Sequence, residues 1–208
     1  MTRPALPAVP YFSQWESREL TLDVLAHGAA VALRRDPNWA TSGATTIEEY
    51  ATWADHLCGM ACLKMILAAR EGRARPILEL ARACTAYGGY TVNEAGEIKG
   101  LIYAPFVEFV RRDFGLEAEV VTELAVEGIA EVLRRARYFI ASVHPGVRWP
   151  DQVPPSKGGH LVLVLQADAE AILFHNPSGH DVPTQEYVRL APASFGKFFA
   201  GRGIAVYA

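Results

Sequence analysis

The chain has 208 residues, half of them hydrophobic and 21% charged, which suits one domain with a sizeable core. Its formal net charge of −3 leaves no electrostatic case for binding nucleic acid or an anionic membrane. Its three cysteines and the proline-rich opening MTRPALPAVP, which has no apolar signal segment, point to a reducing cytoplasm and free thiols rather than a disulfide framework.

In chain order, VPYFSQWES reads as extended. Leu20 to Arg35 carries a weak helical pattern, and PNWATSGA reads as a loop. Thr46 followed three residues later by Glu49 is a capping-box pattern that starts a short helix to about Asp55. The next helix starts near Cys58 and runs to about Arg70. Another covers Ile77 to Ala86 and stops at Gly88-Gly89. PFVEFVRRDFG is a helix with Pro105 in its first turn and Gly115 at its end, and Thr122 caps a further one through ELAVEGIAEVLRRAR. After Arg137 the character changes. YFIASV, LVLVL, AILFH and IAVYA are short, β-branched or aromatic, and bounded by Gly, Pro or polar clusters, so they read as strands. PASFGKFF between the last two reads as a short helix. Helices first and strands later predict an α+β fold, a helical part packed on a mainly antiparallel sheet, in one domain spanning 1–208. No run is apolar for long enough to span a bilayer.

DHLCGMACLKMIL is the unusual stretch, because it puts Cys58 at the first turn of a helix that otherwise reads as buried. A helix N-terminus favours a thiolate, so the position suits a nucleophile. A cysteine nucleophile needs a base, and the base needs an orienting partner. LVLVL and AILFH, joined by QADAE, fit a tight hairpin centred near Asp168. In a symmetric register His160 stands directly opposite Asn176, close enough for an imidazole–amide hydrogen bond. Cys62, one turn after Cys58, and Cys84, in an apolar helix, read as packing. A zinc site from His56, Cys58, His160 and His175 lacks ligand spacing, so no metal or other cofactor is expected. GYTVNEAGEIKG and HPGVRWPDQVPPSKGG read as surface loops, either of which could line a cleft.

CGMACLKMIL, GGHLVLVLQ and ILFHNPSG, in that order, resemble the motif blocks of the C39-type, papain-like cysteine peptidases. VPYFSQ and SFGKFFAGRGIAVY resemble that family's opening segment and closing helix and strand. The resemblance implies Cys58 as nucleophile, His160 as base, Asn176 as orienter and Gln14 as oxyanion donor. It also implies a hydrolase that cleaves a peptide or amide bond through an acyl-enzyme, often after a double glycine in a leader peptide. Two features depart from the pattern. Asn176 stands where the family usually has aspartate, and the gap from Gln14 to Cys58 is long. The alternatives are an acyl or peptidyl transferase on the same fold and a non-catalytic peptide-binding module. The expected partner is a peptide or amide substrate.

Overall fold

The computed structural model describes residues 8–207, so the outermost ends of the expected 1–208 domain lie outside it. The stretch 20–35 is not one helix. It breaks into α1 (Thr21–His27) and α2 (Ala29–Ala32) at Gly28, whose φ of 80° a side chain would strain. Thr46 caps α3 (Ile47–Trp53), its Oγ1 accepting from Glu49 N–H at 3.1 Å. The return bond differs from a capping box, because the Glu49 carboxylate takes Thr45 N–H and Oγ1–H instead. α4 (Cys58–Glu71) is buried from Gly59 to Ala68. α5 (Ile77–Ala86) and α6 (Tyr103–Phe114) follow, and Gly115 ends the latter in the left-handed region expected of a C-terminal glycine.

Among the described residues six strands form one antiparallel sheet: β1 (Glu117–Val121), β2 (Tyr138–Val143), β3 (His160–Ala167), β4 (Ile172–His175), β5 (Val188–Leu190) and β6 (Phe199–Tyr207), in the order β1-β6-β2-β3-β4-β5. The two edge strands escaped the sequence reading. β1 is largely exposed and carries Glu117 and Glu119, while β5 is three residues long. Thr122 caps no helix. Glu123 takes a φ of 55°, and Leu124 N–H donates to Gly201 O at 2.9 Å, which turns the chain toward β6. Helical turns resume only at Val126 and lead into α7 (Ile129–Arg135). The short helices α8 (Val182–Gln185) and α9 (Pro192–Gly196) flank β5.

Both faces of the sheet are covered. Ile140, Leu163 and Ile204 pack with Met60, Leu63 and Leu67 of α4 in one cluster. Phe139, Val164 and Phe174 pack with Ile129 of α7 and Phe195 of α9 in another. Each fully buried Leu, Ile, Phe or Met contributes about 1.5–3 kcal/mol, so α4 is anchored by its side chains rather than by helix propensity. Burial on both faces also explains why YFIASV reads as a continuous apolar run rather than an alternation.

Gly203 shows how tight the centre is. A Cβ there would lie 2.3 Å from Ile140 O and 2.6 Å from Phe139 Cζ. Gly203→Ala should therefore destabilise the fold by about 1–3 kcal/mol, read as a lower urea midpoint with an unchanged slope. An unchanged midpoint would mean that β2 and β6 can part without cost.

Candidate active site

Cys58 is the first residue of α4, and its helix has no side-chain cap. The first backbone bond of that turn runs from Ala61 N–H to Leu57 O, so the N–H groups of Cys58, Gly59 and Met60 point out of the helix end. Gly59 lets this turn approach the sheet. A Cβ there would meet Leu101 Cδ2 at 2.5 Å and Leu161 Cδ1 at 3.0 Å.

His160 opens β3 after Gly158 and Gly159, whose φ values of 86° and 95° are open only to glycine at low cost. Cys58, His160, Gly159, Ser142, Leu101 and Arg202 line one cavity of about 290 Å³. Both long loops named from the sequence reach it, one through Gly100 and the other through Gly159. Among the described residues no hydrogen bond joins the thiol directly to the imidazole.

His160 Nε2 and Asn176 Oδ1 are 2.9 Å apart. The pairing that produces this contact differs from the expected one. Leu163 pairs with His175 and Val164 with Phe174, and then the ladder shifts to Gln166 with Leu173. The turn is centred between Ala169 and Glu170 rather than at Asp168, and the bulge at Leu165 takes back one residue of that shift, so the ladder, extended toward the site, sets Val162 rather than His160 opposite Asn176. His160 meets Asn176 diagonally, a separation that long side chains still bridge.

Asn176 is held in one orientation. Ser178 N–H donates to Asn176 Oδ1 at 3.2 Å, so this oxygen accepts from both sides, and His160 must carry its proton on Nε2. Nδ1 is then the free base. Two residues the sequence reading missed complete the network. Ser178 Oγ lies 3.1 Å from His160 Nε2, and Arg148 Nη2 donates to that hydroxyl at 2.7 Å. Arg148 is 7% exposed and has no carboxylate in ion-pair contact among the described residues. The only hint in the sequence was its place in the long Pro/Gly-rich loop, where it is the sole arginine.

Gln14 is carried by a strap. Tyr11 OH donates to Asn176 O at 3.0 Å, Ser13 Oγ to Pro177 O at 2.8 Å, and Gln14 N–H to Pro177 O at 3.0 Å. This fixes the N-terminal segment to the Asn176 turn. Gln14 Nε2 donates to the carbonyls of Ala54 and Asp55, both at 3.3 Å, and so faces the turn that leads into Cys58 rather than the cavity. His175, next to Asn176, is engaged elsewhere. Its Nε2 donates to Val9 O at 3.0 Å and its Nδ1 accepts from Tyr187 N–H at 3.0 Å.

Burial dominates the electrostatics. Desolvation pushes the Cys58 thiol up to about 11, against backbone N–H groups of Leu161 and Gly59 that favour the thiolate. The helix N-terminus does not lower this thiol as the sequence position suggested, because the sulfur loses more from leaving water than it gains from the exposed N–H groups. Desolvation, with the Arg148 charge second, pulls His160 down to about 3. The resting site is therefore a neutral thiol beside a neutral imidazole.

The sign of the acid response follows from His160. Its folded pKa of about 3 lies below the ordinary 6.5, so the unfolded chain binds more protons between those values. The stabilisation is complete above about pH 6.5 and is lost as pH falls toward 3. Urea unfolding should show stability rising with pH across this window, and His160→Gln should reduce the slope by at most about 1.4 kcal/mol per pH unit. The same slope in both proteins would place the acid sensitivity elsewhere, for example at His175, which burial also lowers.

No family model and no curated protein matches the chain. Solved structures do. One is a double glycine motif protease from an AMS/PCAT transporter, in complex with its leader peptide, at 14% identity and a TM-score of 0.51, covering 99% of this chain and 95% of that one. Another is a C39-like peptidase from Bacillus anthracis, at 13% identity and a TM-score of 0.52, covering 74% of this chain and 90% of that one. With a helical part whose buried helix starts at Cys58 packed on an antiparallel sheet that starts its third strand at His160, the chain has the papain-like fold of C39 peptidase domains.

Proposed function

We propose that this protein is a thiol hydrolase that cleaves a peptide or amide bond through an acyl-enzyme on Cys58. The observation that carries this reading is the His160–Asn176 hydrogen bond at the wall of the cavity that Cys58 lines. Asn176 leaves His160 Nδ1 unprotonated, as a general base requires. The base takes the thiol proton as sulfur attacks the carbonyl carbon, so the charged pair exists only along the reaction path. The Cys58 backbone N–H is the first oxyanion donor. Gln14 is the second, once one of its N–H groups leaves the long bonds to Ala54 O and Asp55 O. His160 then protonates the leaving amine and activates the water that releases the acyl group. An amine or thiol in place of that water gives the transferase reading.

The leader-peptide complex of the similar transporter protease supports an extended peptide as the substrate class. Three free thiols support work in a reducing compartment such as the cytoplasm. No helix among the described residues is long and apolar enough to cross a membrane.

A peptidyl vinyl sulfone tests the reading, because it needs both a nucleophile and a proton donor. Mass spectrometry should find the adduct on Cys58 and not on Cys62 or Cys84, with labelling much slowed in His160→Ala. Labelling of Cys62, or none at all, would favour the non-catalytic peptide-binding module.

A further inference from the structure

We propose that Arg202 and Ser142 form a carboxylate subsite beside Cys58, which selects substrates bearing an acidic group close to the bond that is cleaved. The inference rests on the reading of Cys58 as nucleophile and adds the chemistry of what is recognised.

The backbone creates the site. β2 and β6 pair Ala141 with Gly203, and the next pair is Val143 with Phe199. Ala200, Gly201 and Arg202 therefore oppose the single residue Ser142, and Gly201 takes a φ of 68° to make the excursion. The excursion lifts Arg202 out of the ladder and into the lining of the Cys58 cavity. Its position within the cavity follows from Gly158. A Cβ on Gly158 would lie 3.1 Å from Arg202 Nη2 and 3.3 Å from Ser142 Oγ, so the guanidinium and the hydroxyl both converge on the backbone two residues before His160.

Both groups have donors to spare. Arg202 is exposed and makes no ion pair or hydrogen bond among the described residues, unlike Arg18 and Arg82, which are held by Glu186 and Glu49. Ser142 is 2% exposed, faces the cavity, and its hydroxyl has no hydrogen-bond partner among the described residues. The hydroxyl opens on the cavity, where a ligand acceptor can take its hydrogen bond in place of water. A guanidinium fork next to a hydroxyl matches the two oxygens of a carboxylate.

The other charges around the cavity sort the ligand. Asp55 lies close enough to Cys58 to disfavour its thiolate, and it repels a carboxylate from that wall. Arg148 lies behind His160, where Ser178 engages it. His56 lines the cavity on the Asp55 side. Among the described residues that line the cavity, Arg202 is therefore the cation that a carboxylate can reach.

Iodoacetate and iodoacetamide test the subsite without knowledge of the natural substrate, because they differ in charge but alkylate the same sulfur. At low ionic strength Arg202→Gln should slow carboxymethylation of Cys58 by iodoacetate about two- to fivefold, with iodoacetamide unchanged. Ser142→Ala should do the same more weakly, and added salt should erase the Arg202 effect. Equal slowing of both reagents, or of neither, overturns the subsite while leaving the nucleophile in place. If Cys58 reacts with neither reagent in the unmodified protein, the nucleophile and the subsite fall together. Protection of Cys58 from iodoacetamide then separates two sources of the carboxylate, a peptide with an internal Glu and an amidated end against one with a free C-terminal carboxylate. Protection equal in wild type and Arg202→Gln for both peptides overturns the proposal.

Discussion

Cys58→Ala should reduce hydrolysis of a peptide or amide substrate by at least about 10⁴-fold, because nucleophile, base and orienter act as a unit and only binding and oxyanion contacts survive. The fold should persist. Cys58 lies at the edge of the first core cluster, and removal of one sulfur there leaves Gly59 to Ala68 packed. Circular dichroism and the urea midpoint check this. Cys62→Ala and Cys84→Ala should show the opposite pattern, with activity kept and stability lowered. Both thiols are fully buried, and a Cβ on Gly89 would fall 2.2 Å from Cys84 Sγ, which shows how closely that sulfur is packed. Asn176→Ala should cost less activity than loss of the nucleophile, since it disturbs the tautomer of His160 rather than the bond-forming atom. Activity retained in Cys58→Ala but lost in Cys62→Ala would move the chemistry one helical turn.

The rate of Cys58 alkylation by iodoacetamide should climb with pH through the neutral range, without the plateau near pH 6 that a preformed thiolate–imidazolium pair would give. With the thiol pushed up to about 11, the thiolate fraction at neutral pH falls more than a hundredfold below that of an ordinary thiol near 8.5. Arg148→Met should partly reverse this. Removal of the buried guanidinium frees His160 to hold a proton, so the charged pair becomes accessible and alkylation at neutral pH speeds up. A conservative Arg148→Lys keeps the charge and should keep the slow rate, which separates electrostatics from packing. If Arg148→Met slows alkylation at every pH, the guanidinium serves the geometry of Ser178 and not the charge of His160.

The elements most legible from sequence were those fixed by local chemistry. Thr46 and Gly115 mark helix ends through backbone bonding, and α4 declares itself by an apolar run too dense for a surface helix. His160 and Asn176 were expected to meet, and they do. The route to that contact was hidden, because the turn is out of step with the expected hairpin by an odd number of residues and the extra residue at Leu165 restores the parity, while an extra residue in a ladder leaves the alternation readable on either side. β1 was hidden by its glutamates, which suit an exposed edge as well as a loop. Ser178 and Arg148 were invisible for another reason. Their partnership spans 30 residues and depends on a turn and a loop that only the assembled sheet brings together. The place of Cys58 at a helix start is legible in the sequence, whereas the depth of its sulfur, which pushes the thiol up, is not.

The bulge at Leu165 also divides the β3–β4 hairpin into a part that must stay constant in length and a part that is free to vary. Asp168, Ala169 and Glu170 form an exposed tip, and the pairs nearest the tip belong to one register while those nearest His160 belong to another. A peptide tag or fluorophore-bearing loop inserted between Ala169 and Glu170 therefore grows into solvent and leaves the Leu163–His175 and Val164–Phe174 pairs untouched. Deletion of Val162 does the reverse. Between His160 and Val164 the ladder holds no spare residue, so the loss moves His160 one place along β3 and turns it to the opposite side of the sheet from Asn176, whereas loss of Leu165 only removes the bulge. The hairpin thus offers a place to attach reporters at one end and forbids any change of length at the other.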